Sequence, residues 1–274
     1  MDKKEILQQS VELYKQGLSA HKVRKITNIG VETLYKYLRE KGLIRSNSIN
    51  SRKYYVDHIF FNIIDTEEKA YWLGFLYADG YITKAKYGKY IGISLGVKDE
   101  SHLEKIKKSL NATYPIKTYN SINFGVETEY VRLLISSDQM FNDLIEKGLV
   151  ERKSLVLKFP DNNIVPKNLV HHFIRGYFDG DGSFKKSQDS FYAFQVCGTK
   201  EFLNSLAIYI YHPNLKLGKR HKDKNNNNYS LEIGGRQQVI KIGDYMYKNA
   251  TIYLDRKYQR YLDLINAPKN YSIN

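Results

Sequence analysis

The 274-residue chain contains a single cysteine. One thiol can neither close an internal disulfide nor supply a four-ligand zinc site, so neither staple holds the fold. The expected setting is intracellular and reducing, cytoplasmic or nucleoid-associated. Long apolar runs are also missing. The longest, Tyr71 to Ala78, falls far short of the roughly 18 residues of a membrane span, and Met1-Asp2-Lys3-Lys4-Glu5 has no apolar stretch behind it. No membrane association and no secretion are therefore expected. Acidic residues are in short supply, with 29 Asp plus Glu against 43 Lys plus Arg and a formal net charge of +14. Hydrophobic residues nevertheless make up 42% and aromatic residues 14%, too much for a disordered basic tail. The charge sits on a folded protein with room for about two domains, and its natural partner is a polyanion, nucleic acid first.

Residues 1–46 read as a small helical unit. Ile6, Leu7, Val11 and Leu13 recur at helical spacing until Gly17, Ser19 is placed to cap a second helix, and Asn28-Ile29-Gly30 makes a turn. Val31 to Arg39 forms a third helix that ends near Gly42. Residues 1–45 carry ten Lys or Arg and five Asp or Glu, and the third helix offers Thr33, Tyr35, Lys36 and Arg39 to a partner. Through Gly17-Leu18-Ser19 and Thr33 to Leu38 the segment resembles the helix-turn-helix of resolvases and transposases, which implies DNA binding. An ordinary three-helix packing unit with solvated charges is the alternative. Residues 47–66 read as a linker followed by a docking segment.

The rest of the chain is a duplication. Trp72-Leu73-Gly74-Phe75-Leu76-Tyr77-Ala78-Asp79-Gly80 aligns with Ile174-Arg175-Gly176-Tyr177-Phe178-Asp179-Gly180-Asp181-Gly182, an offset of 102. Asp99 to Leu103 aligns with Thr199 to Leu203 at 100, and Glu151-Arg152-Lys153 with Asp255-Arg256-Lys257 at 104. The repeats span 67–166 and 167–266, leaving a tail at 267–274, and such a pair folds as a pseudo-symmetric dimer within one polypeptide. The expected fold class is α/β, a duplicated α-β-β-α-β-β-α module. Its sheets are antiparallel because the turns leave no room for parallel crossovers. Ile91, Ile93 and Leu95 mark a strand of the first copy; Phe191 to Val196 and Tyr229 to Ile233 mark strands of the second. Ser101 with Glu104 reads as a capping box.

Gly74 and Ala78, like Gly176 and Gly180, lie four apart, so small residues line one face of each motif helix and two backbones can meet there. Gly80 and Gly182 are expected in the left-handed C′ position. Asp79 and Asp181 then stand side by side at the negative ends of two helix dipoles, an arrangement that needs a cation. A divalent ion held by oxygen ligands is the simplest candidate, Mg²⁺ shared with substrate phosphates.

On these motifs the chain resembles a single-chain, two-motif LAGLIDADG homing endonuclease with a helix-turn-helix added. The resemblance covers about 67–266. It implies two motif helices at an interface, flanking sheets that form a saddle over the DNA major groove, and terminal acids that bind divalent metal. Asp79 and Asp181, with the adjoining Gly80 and Gly182, are the implied metal site; Mg²⁺ is the expected cofactor, with Mn²⁺ able to substitute. Lys153 and Lys257 are the implied basic residues of the two active centres, and Gln195 a polar strand residue whose counterpart at a 100-residue offset is Leu95. The implied activity is divalent-metal-dependent cleavage of double-stranded DNA at a long asymmetric site, linked to intron or intein mobility, by a monomer that requires no protein partner. Saddle contacts are expected from Lys84, Lys86, Lys117, Tyr119 and Arg132 in one half, and from Lys185, Lys186, Lys216 and Arg220 in the other. The Asn225 to Asn228 run among basic residues is a loop, either a flap on phosphates or simply solvated. His171-His172 reads as an exposed pair. A DNA-binding transcriptional regulator and an RNA maturase on the same scaffold are the rival readings, although retention of both acids argues against the first.

Overall fold

A computed structural model describes residues 2–43, 53–86, 88–123, 126–186, 192–210, 216–219 and 227–267. Arg220, residues 44–52, most of the basic loop and the tail from 268 lie outside the described residues. The chain divides into two compact units, one of residues 1–57 with 107–115 and one of residues 58–106 with 116–274.

The first unit contains α1 (Lys3–Lys15), α2 (Ala20–Thr27) and α3 (Val31–Glu40). Ser19 caps α2 by accepting from the Lys22 amide at 3.3 Å, and Asn28 ends it in the left-handed region. Val11, Tyr14, Ala20, Val23, Leu34 and Leu38 form the core. The apolar face of α1 is therefore set by Tyr14, fully buried, and Leu13 packs only at the margin. Residues 55–57 are tied to 110–113: the Tyr55 amide donates to Thr113 Oγ1 at 2.7 Å, and the Asp57 amide to the Leu110 carbonyl at 2.9 Å.

The second unit holds the duplication. Its first copy runs α4 (Glu67–Ala78), β1 (Gly80–Ala85), β2 (Gly88–Gly96), α5 (Glu100–Ser109, beginning in this unit), β3 (Ile116–Asn123), β4 (Val126–Ser136) and α6 (Asp138–Glu146). The second runs α7 (Val170–Asp181), β5 (Gly182–Lys186), β6 (Tyr192–Gly198), α8 (Lys200–Tyr209), β7 (Lys216–Lys219), β8 (Tyr229–Gly234) and α9 (Arg236–Tyr247), followed by α10 (Asp255–Asn266). Each sheet is antiparallel with four strands, ordered β1-β2-β4-β3 and β5-β6-β8-β7, as the duplication requires.

Every residue of α4 from Ala70 to Ala78 is buried, which a helix achieves only at the centre of its unit. Its partner is α7, and the two backbones touch. A Cβ on Gly74 would overlap the Phe173 carbonyl oxygen and come within 3.0 Å of the Tyr177 nitrogen; one on Gly176 would overlap the Tyr71 carbonyl oxygen and lie 2.9 Å from the Phe75 nitrogen. Two expectations need correction. Gly80 and Gly182 are not left-handed: Gly182 has φ −100°, and both open the strand that follows their helix. Glycine is needed because a Cβ would strike Leu76 at the first position and the Phe178 ring at the second. Nor does Ser101 cap a helix. A 3-10 turn over Val97–Asp99 runs straight into α5, and Asp99 at that turn is buried.

Candidate active site at the motif helix ends

Pleating assigns every strand residue to a face, and cross-strand partners share it. Ile91, Ile93 and Leu95 of β2 point into the core, so Tyr81, Gly92, Ser94, Tyr130, Arg132, Lys117 and Tyr119 share the opposite face. In the second sheet Phe194 and Val196 are core, and Ser183, Lys185, Gln195, Ser230, Glu232 and Lys216 face away from it. These open faces hold Lys117, Tyr119, Arg132, Lys185, Gln195 and Lys216. Lys84 differs: it shares the face of Ile82, at the exposed end of β1, and its amide donates to Glu151. Lys86 is exposed just past β1, and the Lys186 backbone pairs with Tyr192.

The motif acids lie where α4 and α7 end. Asp79 caps α4, and Gly180 of α7 leaves space that the Asp79 carboxylate occupies: a Cβ on Gly180 would be 3.1 Å from Asp79 Oδ2. Burial, then the neighbouring Asp181, push the Asp79 carboxyl up to about 6, against the pull of Lys153, Lys257 and Arg256. Asp181, the last residue of α7, is exposed. The Tyr177 hydroxyl, which donates to the Cys197 carbonyl at 2.8 Å, lies within the field of both acids, and burial raises its pKa.

Both lysines arrive at this end. Lys153, on a 3-10 turn over Lys153–Leu155, donates to the Ala78 carbonyl at 2.6 Å; Lys257 of α10 donates to the Phe178 carbonyl at 3.2 Å and to the Gly182 carbonyl. Terminal helix carbonyls have no intrahelical partner, so the two ammonium groups satisfy them and offset the negative dipole ends. Part of the cation the paired acids call for is thus built into the chain. Burial lowers both pKa values, that of Lys257 to about 8. The Gly182 carbonyl, being engaged by Lys257, is a ligand already in use. Lys257 is held in turn by its neighbours: Arg256 Nε donates to both oxygens of Asp99 at 3.0 Å, and Asp255 pairs with Lys105 at 2.6 Å.

The residues fit a shared divalent ion of the kind that takes few protein ligands. Burial, and after it the second carboxylate, keep the Asp79 carboxyl raised although two lysines lie beside it. No group of three or more His, Cys, Asp or Glu able to hold a metal occurs among the described residues, so an ion held here would need ligands beyond the protein carboxylates.

The two halves of the site are not alike. Gly80 pairs with Ile93 and Gly182 with Val196, so the counterpart of Gln195 is Gly92 and not Leu95, which is a buried core residue. The Tyr81 ring lies over Gly92, and Ser183 stands in its place opposite Gln195.

Three further polar groups are buried: the sequence reads Asp179 as a cap or core hydrogen-bonding group more than as a ligand, whereas Arg175 and Asp99 escaped the sequence reading. Asp179, one residue before Gly180, is fully buried and accepts from Tyr71 at 2.7 Å, from Tyr247, and from the Leu254 amide at 2.7 Å. Arg175, an isolated cation in an otherwise apolar motif and for that reason a visible signal, is buried on Glu67 at 2.6 Å, His172 and the Ile252 and Met246 carbonyls. His171 and His172 are accordingly half-buried and not an exposed pair. The third group is Asp99 beneath Arg256. In α3, Thr33, Lys36 and Arg39 are exposed, whereas Tyr35 is half-buried, edge-on to Tyr14 at 6.2 Å.

A family model described as a LAGLIDADG-like domain matches residues 168–246, and one described as the helix-turn-helix domain of resolvase matches residues 2–41. The matched LAGLIDADG-like region includes α7 with Asp181, and α4 with Asp79 opens the copy that repeats its topology. A double lysine-to-alanine mutant of the meganuclease I-SmaMI shares the fold, with TM-score 0.51 at 15% identity over 72% of this chain and 88% of that one. The LAGLIDADG homing endonuclease I-GzeII, solved in complex with its DNA target, is 14% identical over 72% of this chain and 88% of its own, TM-score 0.48. The probable translation initiation factor IF-2 of Methanocaldococcus jannaschii is 23% identical over 79% of this chain. The chain spans about a fifth of that relative's length, since 20% of it is covered. No helix among the described residues is long and apolar enough to cross a membrane.

Proposed function

We propose that the chain is a site-specific endonuclease for double-stranded DNA, hydrolysing one phosphodiester bond per strand with Mg²⁺ as cofactor. The observation that carries this reading is the pair of acids at the adjoining ends of two helices whose backbones touch, with the Asp79 carboxyl raised by burial and then by Asp181. Asp79 and Asp181 would hold the metal together with DNA phosphates. When bound, a divalent ion supplies Lewis-acid stabilisation of the departing 3′ oxygen and lowers the pKa of an attacking water. Lys153 and Lys257, fixed on helix-end carbonyls, keep positive charge beside the reacting phosphates. Lys257, at about 8, remains mostly protonated at neutral pH. Gln195 orients water or phosphate in the second half only. The repeats 67–166 and 167–266 each serve one strand, residues 1–46 bind flanking DNA, and a net charge of +14 favours association with the duplex.

Cleavage-site selection on randomised duplex tests this. Expected is an asymmetric set of cut sites in Mg²⁺, with binding but no cutting in Ca²⁺; binding without cutting under every divalent ion would leave a DNA-binding regulator as the reading.

The helix-turn-helix can be removed separately, because a chain that begins at residue 50 retains both acids, both lysines, both sheets and the Tyr55 and Asp57 bonds to 110–113. It should still cleave. Its footprint on the selected site should shorten on one side, and each lost phosphate contact should flatten the slope of log affinity against log salt by about 0.9. Footprints and salt slopes identical to those of the full chain would return the α3 charges to an ordinary solvated surface.

A further inference from the structure

Arg132 in β4 is held in place by several groups on the open face of its sheet. Its Nε donates to Ser94 Oγ at 3.1 Å and its Nη2 to the Tyr130 hydroxyl at 3.1 Å. The guanidinium carbon lies 4.8 Å from the centre of the Tyr119 ring and 5.3 Å from that of Tyr130, and those rings stack on one another at 5.5 Å and 17°. Two of its five N–H groups are thereby used to fix the side chain, and three remain, including both on Nη1. A guanidinium fixed by two hydrogen bonds beside a pair of stacked tyrosines has given up rotamer freedom in advance, so little further entropy is lost when it pairs with a planar acceptor pair.

Position adds a second observation. Gly80 pairs with Ile93, so the row that starts at Asp79 continues through Ser94 and Arg132 to Lys117. Two inter-strand spacings amount to roughly 10 Å, which places Arg132 on the order of three base-pair steps from the first acid. The same row of the second sheet reads Cys197, Ser230 and Gly218. Small residues therefore stand where Ser94, Arg132 and Lys117 stand in the first sheet, so the second sheet has no arginine in the place of Arg132.

We propose that Arg132 reads a guanine in the major groove, at one position of one half-site close to the cut, with Ser94, Tyr119 and Tyr130 as its positioning residues. Guanine presents O6 and N7 as two acceptors side by side, the pair an arginine fork matches best. A phosphate presents a similar pair, but phosphate contacts carry no sequence information. This inference rests on the proposed DNA-binding function.

The test is selection of bound sequences by the full chain from randomised duplex in Ca²⁺, with wild type, Arg132→Ala, Arg132→Lys and Tyr130→Phe compared. Expected is one position in one half-site where wild type demands guanine. There the preference should fall about tenfold to a hundredfold in Arg132→Ala and Arg132→Lys. It should fall partially in Tyr130→Phe, while preferences elsewhere stay as in wild type. Arg132→Lys keeps the charge and loses the fork, so a profile restored by lysine, or a loss of affinity equal for all sequences, identifies a phosphate contact and overturns the proposal. An Arg132→Ala profile identical to wild type overturns it as well. Wild type that selects no sequence at all fails the DNA-binding function itself, which is a separate result.

Discussion

Replacing Asp79 with asparagine is expected to abolish double-strand cleavage and, in the same sample without metal, to raise the melting temperature. The first effect follows because a neutral amide is a poor ligand for a hard divalent ion. The second follows from the direction of the carboxyl's shift. A folded-state value of about 6 against an ordinary 3.8 means that the folded protein holds this proton more tightly than the unfolded chain does. Asp79 thus opposes folding once the pH exceeds 3.8. Its penalty grows up to about pH 6 and stays constant above, reaching about 3 kcal/mol at most from 1.36 kcal/mol per unit. Asparagine should therefore stabilise the metal-free protein by several degrees at pH 7.5, an advantage that fades towards pH 4. Adding Mg²⁺ with DNA should stabilise wild type and not the variant. Asp181→Asn should likewise lose cleavage, and either variant cutting both strands at the wild-type rate in Mg²⁺ would refute the shared-metal site. An Asp79→Asn melt at or below that of wild type at pH 7.5 would show that the acid is not under electrostatic strain.

Leucine at Gly74 or Gly176 should damage the fold severely. Ordinary overpacking costs roughly 1–3 kcal/mol, because side chains can rotate out of the way. Between α4 and α7 the obstruction is backbone: the Phe173 carbonyl in one case and the Tyr71 carbonyl in the other. Backbone within a helix cannot yield without moving the helix. The expected result is a melting temperature lower by about 10 °C or more, or no soluble protein. Even alanine should be costly at these two positions, whereas Gly218→Ala, with nothing within 4 Å of the added methyl, should melt like wild type. Thermal denaturation of the three alanine variants decides it. Gly74→Ala and Gly218→Ala melting together would mean that the helices do not meet at Gly74.

The sequence made the central helix pair legible because glycines four apart and a repeated Asp-Gly are local patterns that survive duplication. The sheets were legible through alternation, as at Ile91, Ile93 and Leu95. Equivalence between halves was harder. The offset is 102 at the motif acids, 103 between Ile93 and Val196, and 98 between Leu133 and Leu231, since hairpins of unequal length separate the strands. A constant offset of 100 therefore paired Gln195 with Leu95, and only hydrogen-bond register brings it to Gly92. The lysines were legible as a pair but not in what they bind, because the helix-end carbonyls they satisfy lie 75 to 79 positions away along the chain. Asp179 and Arg175 show the same limit, since their partners come from both repeats and share no local pattern. In the first unit Tyr14, edge-on to Tyr35, is in the core and Leu13 packs at its margin, since neighbouring helix positions point in different directions.

The contact of α4 with α7 also acts as a ruler. Where long side chains separate two helices, the gap between them adjusts as rotamers change, and any group carried at the tips drifts with it. At Gly74 and Gly176 no side chain intervenes, and the spacing is set by the thickness of two peptide backbones. The two acids are therefore mounted on the least compressible part of the protein, and the stagger between the two cuts should be the same on every duplex the protein accepts. On the proposed function, drift in the sheets would change which sequences are accepted, and α3 would change how firmly they are held. Neither can alter the length of the overhang that is left behind.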